Sequence, residues 1–281
     1  MKRKPPFQYG KATLYNDDCF SWLKHQADNS IHAIVTDPPY GLQEYTPEQV
    51  MKLREGRGGV WRKPPSFDGS TRSPLPRFTV LSETQRRELY DFFLEWGRAV
   101  MPKLVPGANV VMASNPLLSH LVSKALSDSN LERRGEIVRL TMTMRGGDRP
   151  KNAEREFPDV CVMPRSQWEP WVLFRKPIET GLRIKDNLRK WHTGGFRRID
   201  CGHPFGDVIK SAPTHAAEKK LSNHPSLKPQ RFMRQIVRAV LPLGIGCVVD
   251  TFAGSGSTLA AAESVGYESK GVERDADYFD S

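Results

Sequence analysis

The run Ile31-His32-Ala33-Ile34-Val35-Thr36 stops at Asp37-Pro38-Pro39-Tyr40-Gly41, and no other stretch limits the fold as much. A compact apolar run of this length reads as a buried strand. Paired prolines end it, because each fixes φ and neither donates a backbone N–H. The strand therefore finishes abruptly, with a carboxylate and an aromatic ring just past its end.

Further strands and helices follow the same logic. Residues 11–15 read as a short strand and 18–27 as a helix. Ser82 with Gln85 forms a capping box that opens a helix to about Met101. Residues 109–113, 137–144 and 171–175 read as strands, and 116–127 as a helix. Pro229 suits the first turn of a helix reaching Leu241. Cys247–Asp250 is a strand, 257–265 a helix ended by Gly266, and 270–273 a final strand. Strands alternating with helices predict an α/β fold with a mostly parallel sheet.

Two stretches escape this pattern. Residues 42–80 are rich in Gly, Pro and Arg, among them Arg54, Arg57, Arg62 and Arg72. That is long for a plain connection and reads as a mobile functional loop. A cover over a functional site or a bound partner, and plain disorder, both fit it. Residues 177–223 lack periodicity and carry many basic and aromatic side chains.

The chain has 281 residues, enough for one large α/β domain or a domain with a small insert. Its 42 Lys and Arg against 32 Asp and Glu give a net charge of +10, which favours a polyanionic partner through counterion release. No apolar run of about 20 residues exists, so no membrane helix is expected. The start, Met1-Lys2-Arg3-Lys4, leads into no apolar core, so no secretion signal is expected either. Cys19, Cys161, Cys201 and Cys247 form no CxxC pair and read as reduced thiols of a cytoplasmic protein. His203, His215 and His224 are poorly spaced for a metal, and no metal is expected.

Two motifs carry chemistry. Asp250-Thr251-Phe252-Ala253-Gly254-Ser255-Gly256-Ser257-Thr258 follows a strand and opens a helix. Glycines there let a ligand approach the backbone. Glu273, at the end of the next strand, is placed to accept hydrogen bonds from ribose hydroxyls. The motif lacks the third glycine of a dinucleotide site and the Gly-Lys of a P-loop. The other motif is Asp37-Pro38-Pro39-Tyr40. An aromatic amine is a poor nucleophile because its lone pair is delocalised into the ring. Two acceptors at its hydrogens, the Asp37 carboxylate and the Pro38 carbonyl, would raise its reactivity by electrostatic preorganisation. Tyr40 offers a face for a base pulled out of a duplex.

Asp-Pro-Pro-Tyr followed much later by Phe-x-Gly-x-Gly resembles the amino-methyltransferases of DNA, which modify adenine N6 or cytosine N4. The catalytic motif precedes the cofactor motif, as in their β group, a circular permutation of the Rossmann-like S-adenosylmethionine-dependent fold. His224-Pro225-Ser226-Leu227-Lys228-Pro229 resembles the segment that closes over the methionine part of the cofactor. Asp17-Asp18-Cys19 resembles the Gly-Asp-Cys turn at the cofactor's adenine, with Asp17 where glycine is usual, so the role passes to Asp18 and Cys19. Trp168-Glu169-Pro170-Trp171 resembles a family strand start.

The resemblance implies a catalytic set of Asp37, Pro38, Pro39 and Tyr40. It implies a cofactor set of Asp18, Cys19, His224, Pro225, Lys228, Asp250, Phe252, Gly254, Ser255, Gly256, Ser257, Thr258 and Glu273. It divides the chain into a catalytic half (11–176), a small inserted target-recognition region (177–223) and a cofactor half (224–281). Within the insert, Arg183, Lys185, Arg189, Lys190, Trp191, Arg197 and Arg198, with His192 and Phe196 interleaved, are the expected DNA contacts. The implied cofactor is S-adenosyl-L-methionine and the implied partner double-stranded DNA, with no membrane. A homodimer and a cognate restriction enzyme as genetic partner are consistent with the resemblance. Asp at position 37 favours adenine, since cytosine enzymes usually have Ser there; cytosine N4 is the alternative. A catalytically inactive DNA-binding protein is the reading from another class.

Overall fold

A computed structural model describes residues 4–39, 81–141, 149–164, 166–212, 214, 218 and 227–280. Tyr40, the 42–80 loop, His215, His224 and Pro225 lie outside the described residues. Among those described, one sheet forms from β1 (Phe7–Tyr9), β2 (Ala12–Asn16), β3 (Ile31–Thr36), β4 (Leu104–Ala113), β5 (Glu132–Leu140), β6 (Trp168–Arg175), β7 (Val208–Lys210), β8 (Cys247–Asp250) and β9 (Glu268–Glu273). Their order across the sheet is β1-β2-β9-β8-β3-β4-β6-β5-β7. Among the described residues, the helices with defined bounds are α1 (Cys19–Lys24), α2 (Glu83–Val100), α3 (Ser119–Asp128), α4 (Ile184–Trp191), α5 (Gln230–Val240), α6 (Ser257–Ser264) and α7 (Ala276–Phe279).

The central strands β3, β4 and β8 are apolar on both faces, and alternate residues serve opposite cores. Ile34, Val110, Met112 and Val249 face one core, with α1, α2 and α3 packed over it. Ala33, Val35, Val111, Ala113 and Val248 face the other, covered by α5 and α6. Helix α2 buries Leu89, Phe93, Trp96, Gly97 and Val100, the spacing of a single helical stripe. Its N-terminus carries the expected capping box: the Gln85 N–H donates to Ser82 Oγ, and the Ser82 N–H donates to Gln85 Oε1.

The sheet departs from the parallel pattern on both sides of its parallel centre. β2–β9, β9–β8, β8–β3 and β3–β4 are parallel, but β6 runs antiparallel between β4 and β5, and β1 is antiparallel to β2. β5 also starts at Glu132, five residues before the expected 137. Its first residues, Glu132-Arg133-Arg134, hide the strand behind charge, and Glu132 pairs with Arg175 of β6 at 2.6 Å. Residues 142–144 of that expected strand lie outside the described residues. The stretch 177–223 contributes α4 and β7, and β7 extends the sheet by pairing with β5. Helix α4 carries Ile184, Leu188 and Trp191 at helical spacing, but its one buried residue is Asn187. The Asn187 amide donates to the Pro106 and Thr193 carbonyls, a polar anchor that periodicity cannot reveal. No described helix is long and apolar enough to cross a membrane.

Trp96 is fully buried, and its indole N–H donates to Thr251 Oγ1 at 3.2 Å. Trp96→Ala therefore removes core volume directly beneath the Asp250 turn. Denaturant unfolding should show a loss of about 3–5 kcal/mol, against about 1 kcal/mol for the cap variant Ser82→Ala. Equal losses would mean that Trp96 is not a core support.

Candidate active site

β3 and β8 are parallel neighbours, so the segments after Thr36 and after Asp250 leave the sheet side by side. Thr36 Oγ1 donates to Asp250 Oδ1 at 2.6 Å and ties the two strand ends together. A small open cleft lies there, lined by Asp37, Lys228, Met233, Asp250, Phe252, Ala253, Gly254, Ser255, Ser257 and Thr258. Its position at the carboxyl ends of parallel strands is where open α/β sheets bind ligands.

The Asp37 and Asp250 charges oppose each other, and a cation answers Asp37. The Lys228 ammonium sits 3.0 Å from Asp37 Oδ2 and 2.7 Å from Glu169 Oε1. Burial alone would lower the Lys228 pKa, but the Asp37 and Glu169 charges outweigh it, and its pKa is raised. Burial pushes the Asp250 carboxyl up to about 6; Asp37 adds to that, while bonds from Thr258, Thr36 and the Phe252 N–H oppose it.

The glycine turn is held from the next strand. Glu273 Oε2 accepts from the Gly254 N–H at 2.7 Å, and Glu273 Oε1 accepts from the Asp275 N–H at 2.7 Å. A carboxylate has about four acceptor positions, so Glu273 can clamp this turn and still receive a ligand hydroxyl. Gly256 precedes α6 with φ +75°, and a Cβ there would project into open space. Gly271 of β9 has no such room: a Cβ would lie 2.7 Å from Leu259 and 3.0 Å from Ala253. The turn thus lies flat on the sheet with its backbone open to the cleft. Acidic groups and bare backbone together suit a cationic ligand that carries hydroxyls.

Residues 31–281 match the profile of the DNA methylase family of N6 and N4 enzymes. The chain belongs to the N6/N4 DNA methylase family. It is 25% identical to the type II methyltransferase M.HindIII of Haemophilus influenzae, over 91% of this chain and 90% of that protein. It is 23% identical to the type II methyltransferase M2.DpnII of Streptococcus pneumoniae, over 99% and 90%. In fold it resembles the cytosine-N4-specific PvuII DNA methyltransferase (TM-score 0.60, 15% identity, 95% of this chain and 83% of that one). It also resembles M1.HpyAVI in complex with S-adenosylmethionine (TM-score 0.55, 17% identity, 96% of each chain). The fold is that of these S-adenosylmethionine-dependent enzymes.

The remaining candidates fall in three places. Asp18 and Cys19 lie beside Glu273, because the Asp17 N–H and the Asn16 amide both donate to the Glu273 carbonyl. Asp18 is also the N-cap of α1, accepting from the N–H groups of Phe20 and Ser21. The Cys19 thiol is buried, and burial pushes its pKa up to about 12. Phe252 packs against Phe92 and Trp96 of α2.

The basic segment 183–198 is not brought to the cleft. Asn187 and Thr193 bond to Pro106 near the start of β4, and the Arg197 N–H donates to Ala239 just before the loop into β8. This is the amino end of the central strands. Pro106 and Met112 are separated along β4 by about 20 Å of extended chain, and the cleft lies beyond Met112. Arg197 donates to the Tyr267 hydroxyl, Lys190 and Trp191 both bond Glu179, and Arg189 pairs with Asp186. Arg183 and Lys185 are exposed, and Arg198 donates to the Gly202 carbonyl.

Two residues at the cleft end carried no role in the sequence reading. Glu169 stood only within a strand start, and Arg139 was not singled out, yet both join Lys228 in one bonded row. The signal for Glu169 was a charge near the start of a mostly apolar strand; nothing set Arg139 apart from the other charges of β5.

The raised Asp250 pKa has a sign. An acid whose pKa rises on folding, here from an ordinary 3.8 to about 6, holds its proton better when folded. That stabilisation is full below the unfolded value and is lost as pH rises through the folded one. Asp250→Asn keeps an acceptor for Thr36 and has no charge to bury. Its melting midpoint relative to the native chain should climb between about pH 4 and pH 7. A difference that stays constant with pH would contradict the buried charge.

Proposed function

We propose that this chain transfers a methyl group from S-adenosylmethionine to the N6 amine of adenine in duplex DNA, by base flipping and direct displacement. The observation that carries the reading is the convergence of the Asp37 and Asp250 strand ends on one cleft. A donor and an acceptor held in that space can meet at the roughly 3–3.5 Å that displacement needs.

When bound, S-adenosylmethionine supplies a methyl group made electrophilic by its positive sulfur. The chain's own groups do the rest. Asp250, Gly254, Gly256 and Glu273 hold the cofactor, and the acidic lining favours its positive charge. Asp37 and the Pro38 carbonyl accept the two amine hydrogens of the flipped base and concentrate electron density on its nitrogen. In this reading Tyr40 stacks on the base. Aspartate at position 37, where the cytosine enzymes usually have serine, supports adenine over cytosine. An intact Asp37 beside an intact glycine turn supports catalysis over a purely DNA-binding role.

The target base must approach the carboxyl ends of β3 and β8, so the duplex lies across that edge. Exposed charges at the opposite edge then sit well beyond the screening length of about 8 Å at physiological salt.

Incubation with labelled S-adenosylmethionine and DNA, followed by nucleoside analysis, should yield N6-methyladenine. N4-methylcytosine would overturn the base assignment and leave the chemistry standing. Asp37→Ala should lower the rate by about 10²–10³-fold with cofactor binding retained. Unchanged turnover would make the Asp-Pro-Pro turn merely structural.

A separate expectation concerns DNA placement. Arg183→Ala with Lys185→Ala should leave DNA affinity within about twofold at physiological salt. A loss of about tenfold or more would mean that the duplex reaches round to that edge and contacts the basic segment directly.

A further inference from the structure

Thr36 ends the apolar run of β3 as a polar side chain with no exposure to solvent. Buried hydroxyls are retained where they are hydrogen-bonded. This one donates to the Asp250 carboxylate at 2.6 Å, across 214 positions of sequence. The parallel pairing of β3 with β8 makes that contact possible. A second link joins the same two parts: Thr258 Oγ1, in the first turn of α6, donates to the Val35 carbonyl at 3.4 Å. The end of the catalytic strand is thus bonded twice to the glycine motif.

The charge on Asp250 is a balance of opposed effects. Burial pushes its carboxyl up to about 6 and the Asp37 charge adds to this, while bonds from Thr258, Thr36 and the Phe252 N–H favour the ionised form. Other charged groups face the same place. Lys228, from the segment before α5, lines the cleft with Asp37, and Glu273 of β9 holds the neighbouring Gly254 turn. A carboxyl balanced in this way is sensitive to each donor it keeps. One hydrogen bond to a charged group is worth enough to move its titration by about one pH unit. Thr36 is such a donor, and it belongs to the strand that carries Asp37.

We propose that Thr36 is a positioning residue for cofactor binding: its hydroxyl holds the Asp250 carboxylate in place and in its charged form, so the end of the catalytic strand sets how well the glycine motif takes the cationic cofactor. The inference rests on the reading of Asp250 as a cofactor residue. It gives a task to a side chain that neither lines the cleft nor touches a ligand. The hydroxyl is the working part, because valine has nearly the same shape and no donor.

The test is calorimetric titration of the full-length protein with S-adenosylmethionine between pH 5 and pH 8. Protonation of Asp250 removes the charge that attracts the cofactor, so native affinity should fall as pH drops through about 6. In Thr36→Val the same fall should begin about one pH unit higher. Its affinity should then be about tenfold below native at pH 5 and within about twofold of it at pH 8. Thr36→Ser keeps the hydroxyl and should restore the native profile. Asp250→Asn should bind weakly, with little change across this pH range.

A Thr36→Val profile that superimposes on the native one overturns the proposal. So does a deficit of the same size at every pH, which is the mark of a merely structural role. Should Thr36→Val fail to fold, Thr36→Cys, a weaker donor of similar size, decides by the same comparison. Asp250→Asn separates the claims. If it binds weakly and Thr36→Val is normal, only the positioning role falls. If it keeps the native pH dependence, another group titrates and the proposal falls. If it binds as the native chain does at pH 8, the reading of Asp250 beneath the proposal falls.

Discussion

The hydrogen bond from Thr36 to Asp250 joins the ends of two neighbouring parallel strands, and the rest of the site depends on that junction. It places the Asp37 and Asp250 carboxylates on one cleft, where their charges oppose each other. Burial of like charges at such range costs free energy unless a cation or a proton intervenes. Both responses are visible: Lys228 bridges Asp37 to Glu169, and the Asp250 pKa is pushed up. In the proposed function, this keeps negative charge where a cationic methyl donor and the target amine meet.

Support for the junction comes from both faces of the sheet. On one face, Trp96 and Phe92 of α2 back the Thr251-Phe252 step. On the other, α6 rests on β9 through the gap left by Gly271. Glu273 then ties the end of β9 to the Gly254 turn. Rigid elements on three sides hold a turn whose backbone stays open to the cleft, which is the arrangement that precise positioning of a small ligand requires.

The sheet also has two functionally unequal ends. Its carboxyl edge holds every described residue of the catalytic and glycine motifs. Its amino edge holds the basic segment 183–198, pinned by Asn187, Thr193 and Arg197 to Pro106 and Ala239.

Much of this was written in local sequence. The apolar run Ile31–Thr36, the two prolines after it, the capping box at Ser82 and Gln85, and the glycine turn after Asp250 are short-range signals set by backbone sterics and burial, and each appears where it was expected. The family resemblance, carried by those same motifs, pointed to the cofactor class. Local sequence did not determine β5 as a strand from Glu132, nor α4, whose buried anchor is an asparagine. It could not say that β6 turns back between β4 and β5, because register and direction are settled by pairing between distant segments. Nor could it say which end of the sheet residues 183–198 would occupy, or that Arg139, Glu169 and Lys228 would meet Asp37 in one row. Those residues lie far apart along the chain, and only tertiary packing brings charges from four elements into contact.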